Sequence, residues 1–207
     1  MLKVWGRKNS SNVQKVMWAI GELGLAYERL DVGMELGGNN EPAYLALNPN
    51  GLVPTLQDGD LILWESNSIL RYLAGRYGAG KLEPTEPRQR ALAGQWMDWQ
   101  LSVVQPALTT AFWGLIRTPP EKRDHAAIAA SKAKSTDVMK ILDAALSRHA
   151  YVAGDAFSMG DIPVAVMARR FCLLVPERPP LPNFERWYAS IARRPAFQVH
   201  VAAIPFT

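Results

Sequence analysis

Along the first 77 residues the apolar positions change period several times, short alternating runs giving way to helical ones. Leu2-Lys3-Val4-Trp5 alternates and predicts a short strand. From Val13 the apolar residues Val13, Val16, Met17, Ile20 and Leu23 recur at helical spacing, and the run stops at Gly24. Residues 27–32 predict a second strand. A Gly/Asn-rich stretch, 33–40, and a short helical segment, 43–47, follow it. The turn signal Asn48-Pro49-Asn50-Gly51 comes next, and then 53–56 and 61–64 flank Asp58-Gly59-Asp60 as the two arms of a hairpin. Residues 66–77 place Ile69, Leu70, Leu73 and Tyr77 on one helical face. The predicted order is β-α-β-α-β-β-α.

Residues 78–87, with two Gly and two Pro, read as a linker. Beyond it the helical period dominates. One helix spans 88–116 through Leu92, Trp96, Trp99, Val103 and Leu108, with Pro106 expected to kink rather than end it. Further helices are expected over 121–148, 158–174 and 183–192. The expected architecture is therefore α/β plus all-α: a small α/β domain over 1–77, then a helical bundle over 88–207.

Composition narrows the chemistry. Of 207 residues, 48% are hydrophobic and 20% charged, as in ordinary globular proteins and unlike disordered or collagen-like ones. A single cysteine, Cys172, excludes an intramolecular disulfide, a CxxC pair and a cysteine-based zinc site. His125, His149 and His200 show no metal-ligand spacing, so no metal is expected. The +4 net charge is mild and its basic residues scattered, so neither a nucleic-acid stripe nor a membrane span is expected. The thiol-poor chain without an apolar leader reads as cytoplasmic.

Four stretches then fall in one order and spacing: SSNVQKV (10–16), NPNGLVPTL (48–56), LWESNSILRYLA (63–74) and FSMGDIPVA (157–165). Together they resemble the cytosolic glutathione S-transferases, most closely the bacterial theta-like or beta-like serine-type members. The resemblance spans nearly the whole chain. It implies a thioredoxin-like first domain that binds glutathione and a helical second domain that carries a small hydrophobic electrophile. It also implies a homodimer.

Such chemistry needs a thiolate near neutral pH, whereas an ordinary thiol has a pKa of about 8.5. Donors and positive potential at a helix N-terminus lower it. In serine-type members the activating hydroxyl lies six residues before the helix valine, which lands on Ser10. Ser11 and Gln14 form an S-x-x-Q capping box, predicting Ser11 as the cap and leaving Ser10 free. Asn12, whose amide can donate to sulfur, is the rival. Taken as an isolated segment, all three residues merely cap a helix.

The resemblance further implies a cis Val53-Pro54 bond beside the cysteinyl backbone, and Glu65-Ser66 holding the α-ammonium and α-carboxylate of the γ-glutamyl end. Leu52 departs from the family pattern, since many members carry Lys or Arg there against the glycyl carboxylate; Asn39, Asn40 or Lys15 are the expected substitutes. Ser158 and Asp161 are expected to cap a helix and to serve folding alone. The electrophile site is expected between the domains, with Phe112, Trp113, Ile116 and Arg117 as candidates, although aromatic residues at helical spacing are more often core. Two other functions compete: a glutathione-dependent disulfide reductase or peroxidase, and a non-catalytic binding protein on the same fold.

Overall fold

The central pairing joins β1 (Leu2–Trp5) to β2 (Tyr27–Leu30) in parallel and to β3 (Thr55–Asp58) antiparallel, with β4 (Leu61–Trp64) antiparallel at the far edge. The order is β2-β1-β3-β4 in the computed structural model, which describes all 207 residues. The hairpin closes on two residues, Gly59-Asp60, and Asp58 pairs with Leu61 as the last rung rather than joining the turn. The third strand also starts two residues later than the pattern predicts. Pro54 has no N–H to give to a ladder, so pairing begins at Thr55.

α1 (Ser11–Leu23) and α3 (Ser66–Tyr77) pack together, and a single helical turn, α2 (Pro42–Leu45), sits in the connection between β2 and β3. Every residue of α1 from Val13 to Ile20 is buried, more than a one-sided amphipathic helix would be. The extra cover comes from the far end of the chain. Phe197 meets Trp18 edge-on at 4.9 Å, and His200 lies against Gly21. By its contacts the first compact unit is Met1–Glu83 together with Pro195–Pro205. Residues 195–202, which the hydrophobic pattern leaves without an element, form α9 (Pro195–Phe197) and a wide π-type turn, Gln198–Ala202. Of the expected linker, Gly78–Glu83 is a tight loop closed by Gly80 N–H to Glu83 C=O and belongs to this first unit.

The second unit is Pro84–Arg194 with Phe206–Thr207. Glu86 caps α4 (Pro87–Trp99) by accepting from the Gln89 N–H, with Pro87 at the first helical position where its missing N–H costs nothing. The helical path continues through a π segment, Gln100–Val104, into α5 (Gln105–Phe112) and a second π segment, Trp113–Arg117. Pro106 therefore does not end the helix; the widened turn before it absorbs the lost hydrogen bond. α6 (His125–Ala145) starts four residues later than predicted, because the Asp124 carboxylate caps it through the Ala127 N–H. Ser131 Oγ ties α6 to α5, donating to the Ala107 C=O at 2.6 Å and accepting from the Ala111 N–H at 3.0 Å. α7 (Asp161–Leu174) is the buried central helix, and α8 (Pro182–Ala192) closes the bundle with Phe184, Trp187 and Ile191 inside. No helix is long and apolar enough to cross a membrane.

Candidate functional site

The first unit carries a small cleft where the N-termini of α1 and α3 meet the loop before β3. Asn12 lines it from α1, Ser66 and Glu65 from the start of α3, and Leu52, Val53 and Pro54 from the loop.

The loop is held by its own amides. Asn48, almost fully buried, donates from Nδ2 to the Leu52 C=O at 2.8 Å and to Thr55 Oγ1 at 3.2 Å. Its Oδ1 accepts from the Asn50 backbone N–H and side chain, both at 3.1 Å. The Tyr44 hydroxyl donates to the same Leu52 carbonyl at 2.6 Å, and burial pushes its pKa up. Leu52 is thus clamped by its backbone while its side chain is 64% exposed. Val53-Pro54 is cis, as the resemblance implied, and Val53 stands outside the sheet ladder.

At the start of α1 the capping differs from the sequence expectation. Ser10, not Ser11, occupies the N-cap position, with φ −75° and ψ 123°, and its side chain makes no cap hydrogen bond. Ser11 is already the first helical residue. Gly6 makes room for this approach: any Cβ there would stand 2.4 Å from Val13 Cγ2. Asn12 Oδ1 is buried and has no hydrogen-bond partner. A buried polar atom without a partner costs about 1–3 kcal/mol, so its place in the lining of a cleft points to a ligand.

At α3, Glu65 is the N-cap residue at φ 70° and ψ 109°, a conformation that costs a non-glycine residue about 1–3 kcal/mol. Its side chain is left exposed at the cleft edge. Ser66 behind it is buried. Lys15, completely buried in α1, donates from Nζ to Ser66 Oγ and Asn67 Oδ1, each at 3.4 Å. The starts of α1 and α3 thus meet at one cleft with the exposed Glu65 carboxylate at its edge, so that helix N-termini and an acidic side chain are both on offer to a zwitterion.

Several expected site residues lie elsewhere. Asn39 spends its amide on the Gly51 C=O at 2.9 Å, with Asn40 beside it, so these two brace the loop and do not line the cleft. Lys15 reaches the Ser66 end, not the Leu52 side. Phe112, Trp113, Ile116 and Arg117 belong to the second unit. There Phe112 is buried, with Phe206 edge-on at 5.6 Å and Trp113 at 6.3 Å, while Trp113 itself is 53% exposed. The hydrophobic pattern missed Asn48 and Asn50, which it reads only as turn residues. It also missed Arg170, whose guanidinium carbon lies 3.9 Å from the Phe112 ring centre. The available signal was an arginine pair, Arg169-Arg170, inside the otherwise apolar run of α7.

Comparison with known proteins agrees with this geometry. Residues 1–75 match the family model of the glutathione S-transferase N-terminal domain, and 104–195 match that of the C-terminal domain. The chain is 44% identical to glutathione S-transferase GstB of Escherichia coli K12, covering 99% of each chain. It is 35% identical to glutathione S-transferase 3 of Zea mays, over 99% of this chain and 95% of the other. The theta-class glutathione S-transferase of Xanthomonas axonopodis pv. citri, solved with glutathione bound, superposes with a TM-score of 0.95 at 48% identity, covering 100% of this chain and 99% of that one.

Proposed function

This chain belongs to the glutathione S-transferase family, and from that premise we propose how its cleft performs the conjugation of glutathione to a small electrophile. Glutathione lies with its cysteinyl backbone against Val53-Pro54, its α-carboxylate on Ser66 and the N-terminus of α3, and its α-ammonium on Glu65. The buried Lys15 reinforces the carboxylate end through Ser66. The Ser10 hydroxyl and the Asn12 amide face the sulfur at the α1 N-terminus and stabilise the thiolate once the thiol proton has left to solvent.

The thiolate then attacks the electrophilic carbon. A C–S bond forms, and either a leaving group departs with its electron pair or an adduct carbanion takes a proton from water. Positioning and thiolate stabilisation supply the rate gain, with no covalent bond to the protein. The observation that carries this reading is the donor left unspent at the start of α1, a buried Ser10 hydroxyl that caps nothing.

An ultraviolet pH titration of bound glutathione tests it. The bound thiol should ionise well below the free one, and Ser10→Ala should return it toward the free value, with Asn12→Ala giving a smaller return. If Asn12→Ala alone restores the free value, the thiolate role passes to Asn12 and disulfide exchange becomes the better reading. A wild type that binds no glutathione overturns the whole assignment. Family kinship also supports a cytoplasmic homodimer; static light scattering of the purified chain tests the dimer, expected at twice the 22.9 kDa chain mass.

A further inference from the structure

The second unit carries a groove of about 290 Å³ between α6 and the loop that follows α7, at the lower end of small-molecule site sizes. None of its residues serves the chemistry described above. Ala129 and Ala133, one turn apart on α6, and Pro179 of the loop give it apolar walls, while Lys132, Glu177 and Arg178 give it charge. The two cations stand differently. Lys132 is spent on the exposed carboxylate of Glu177, an ion pair that crosses from helix to loop. Arg178 is only partly exposed and enters no ion pair, and its Nε is buried without an acceptor.

Nothing around Arg178 neutralises it. Its charge reaches Cys172 on α7 and Tyr188 on α8, but burial pushes both the thiol and the phenol up, so at neutral pH both stay uncharged. Glu185, whose charge also reaches Cys172, forms no ion pair with Arg178. A guanidinium drawn partly out of water without an anion loses hydration and recovers little in return. Packing alone would be served by an uncharged side chain, and solubility by a charge held out in solvent. A carboxylate matches the guanidinium fork with two parallel hydrogen bonds, and a turn of the Arg178 side chain brings Nε into that fork. The Glu177 carboxylate at the rim repels a dianion twice as strongly as a monoanion, which disfavours phosphate. The apolar walls ask for an apolar body behind the charge.

We propose that this groove binds a small amphipathic monocarboxylate. Arg178 anchors the carboxylate, Lys132 turns toward it from Glu177, and the alanine and proline walls take the apolar body. No bond is made or broken there. The site lies wholly within the second unit and does not depend on the transferase reading.

Calorimetry on the full chain tests it with 2-naphthoate and 2-naphthamide, which share an apolar body and differ in charge. Wild type should bind the acid about tenfold more tightly than the amide, the scale of a charge-assisted hydrogen bond. Arg178→Leu should erase that preference by weakening the acid and leaving the amide unchanged. Arg178→Lys should keep part of it, and Arg148→Leu, which removes an exposed arginine outside the groove, should keep all of it. Glu177→Gln frees Lys132 and removes a repulsion, so the acid should bind up to about fivefold more tightly. If the Lys132–Glu177 pair only fastened the loop to α6, the same change would weaken the acid and overturn the site. Should Arg178→Leu fail to fold, Arg178→Lys and Glu177→Gln carry the test. No binding of the acid, equal binding of acid and amide, or an acid affinity indifferent to Arg178→Leu also overturns it. Glutathione conjugation should be unchanged in all of these variants, so failure of this site leaves the transferase reading standing.

Discussion

At the start of α7, Asp161 is completely buried and accepts from the Val152 N–H at 3.1 Å, the Ser158 N–H at 2.9 Å, the Ser158 hydroxyl at 3.3 Å and Trp187 Nε1 at 2.9 Å. At the start of α1, Ser10 is buried almost as well, yet its hydroxyl caps nothing, and the buried oxygen of Asn12 has no donor. Both helices begin with small polar residues of the kind that favour N-termini. The first start has every polar group of its carboxylate engaged within the fold. The second holds polar capacity in reserve. Saturation fits a helix start that serves folding, and the reserve at α1 is what the proposed thiolate role draws on.

The sharpest way to break this contrast is Asp161→Ala, which strands four donors in the interior. Stability should fall by about 3–5 kcal/mol in urea unfolding, while the glutathione affinity of the folded fraction stays the same. The pH dependence gives a second readout. Burial outweighs the donors and lifts the Asp161 carboxyl from 3.8 to about 6. The folded protein therefore holds this proton where the unfolded chain has released it. Stability from this group is fully present below about 4 and is lost as pH rises through about 6. The difference between wild type and variant should shrink over that window; a difference that grows would contradict the sign.

A paired experiment has the next largest effect. Ser10→Ala should lower kcat/KM about 100-fold, the scale of one lost donor to a developing anion, with stability changed by less than about 0.5 kcal/mol because no cap bond is lost. Ser158→Ala should do the reverse, costing about 1–2 kcal/mol of stability and leaving kcat/KM alone. Equal losses of stability in the two variants would erase the distinction between saturated and reserved helix starts.

The smallest effect sharpens the comparison at a third helix start. Glu65→Gly relieves the positive φ, so stability should hold or rise by up to about 1 kcal/mol. Glutathione affinity should nonetheless drop about tenfold as the partner of the α-ammonium disappears. A variant that is less stable and binds as well as wild type would show Glu65 to be a structural cap.

The elements that pack on themselves were readable from periodicity. The α1 run from Val13, the Asp58-Gly59-Asp60 hairpin and the long helix through Pro106 all carry local signals strong enough to set their class. Their ends were less readable, because Asp124 capping and the missing N–H of Pro54 decide boundaries by single hydrogen bonds. Ser10, Glu65 and Ser66 were singled out through motif resemblance rather than spacing. What stayed hidden depends on contacts between distant positions. Lys15 under Ser66, Asn48 under Leu52 and Arg170 over Phe112 join residues 51, 4 and 58 positions apart, and only the first and last of these separations are beyond the reach of a local pattern. Asn48 was hidden for another reason: a turn asparagine and a buried clamp look alike in sequence.

The return of Pro195–Pro205 to the first unit bears on how the chain comes to be made. A chain emerging from the ribosome exposes residues 1–83 first, and at about 5–20 residues per second the remainder needs on the order of ten seconds to follow. Throughout that interval Trp18 lacks Phe197, and the outer face of α1 stays uncovered. The first unit is thus not a cassette that can be cut out at the linker and grafted elsewhere. Its final quality control is posted at the carboxyl end, so a truncated or frame-shifted product reveals itself as defective in the very part that was synthesised first.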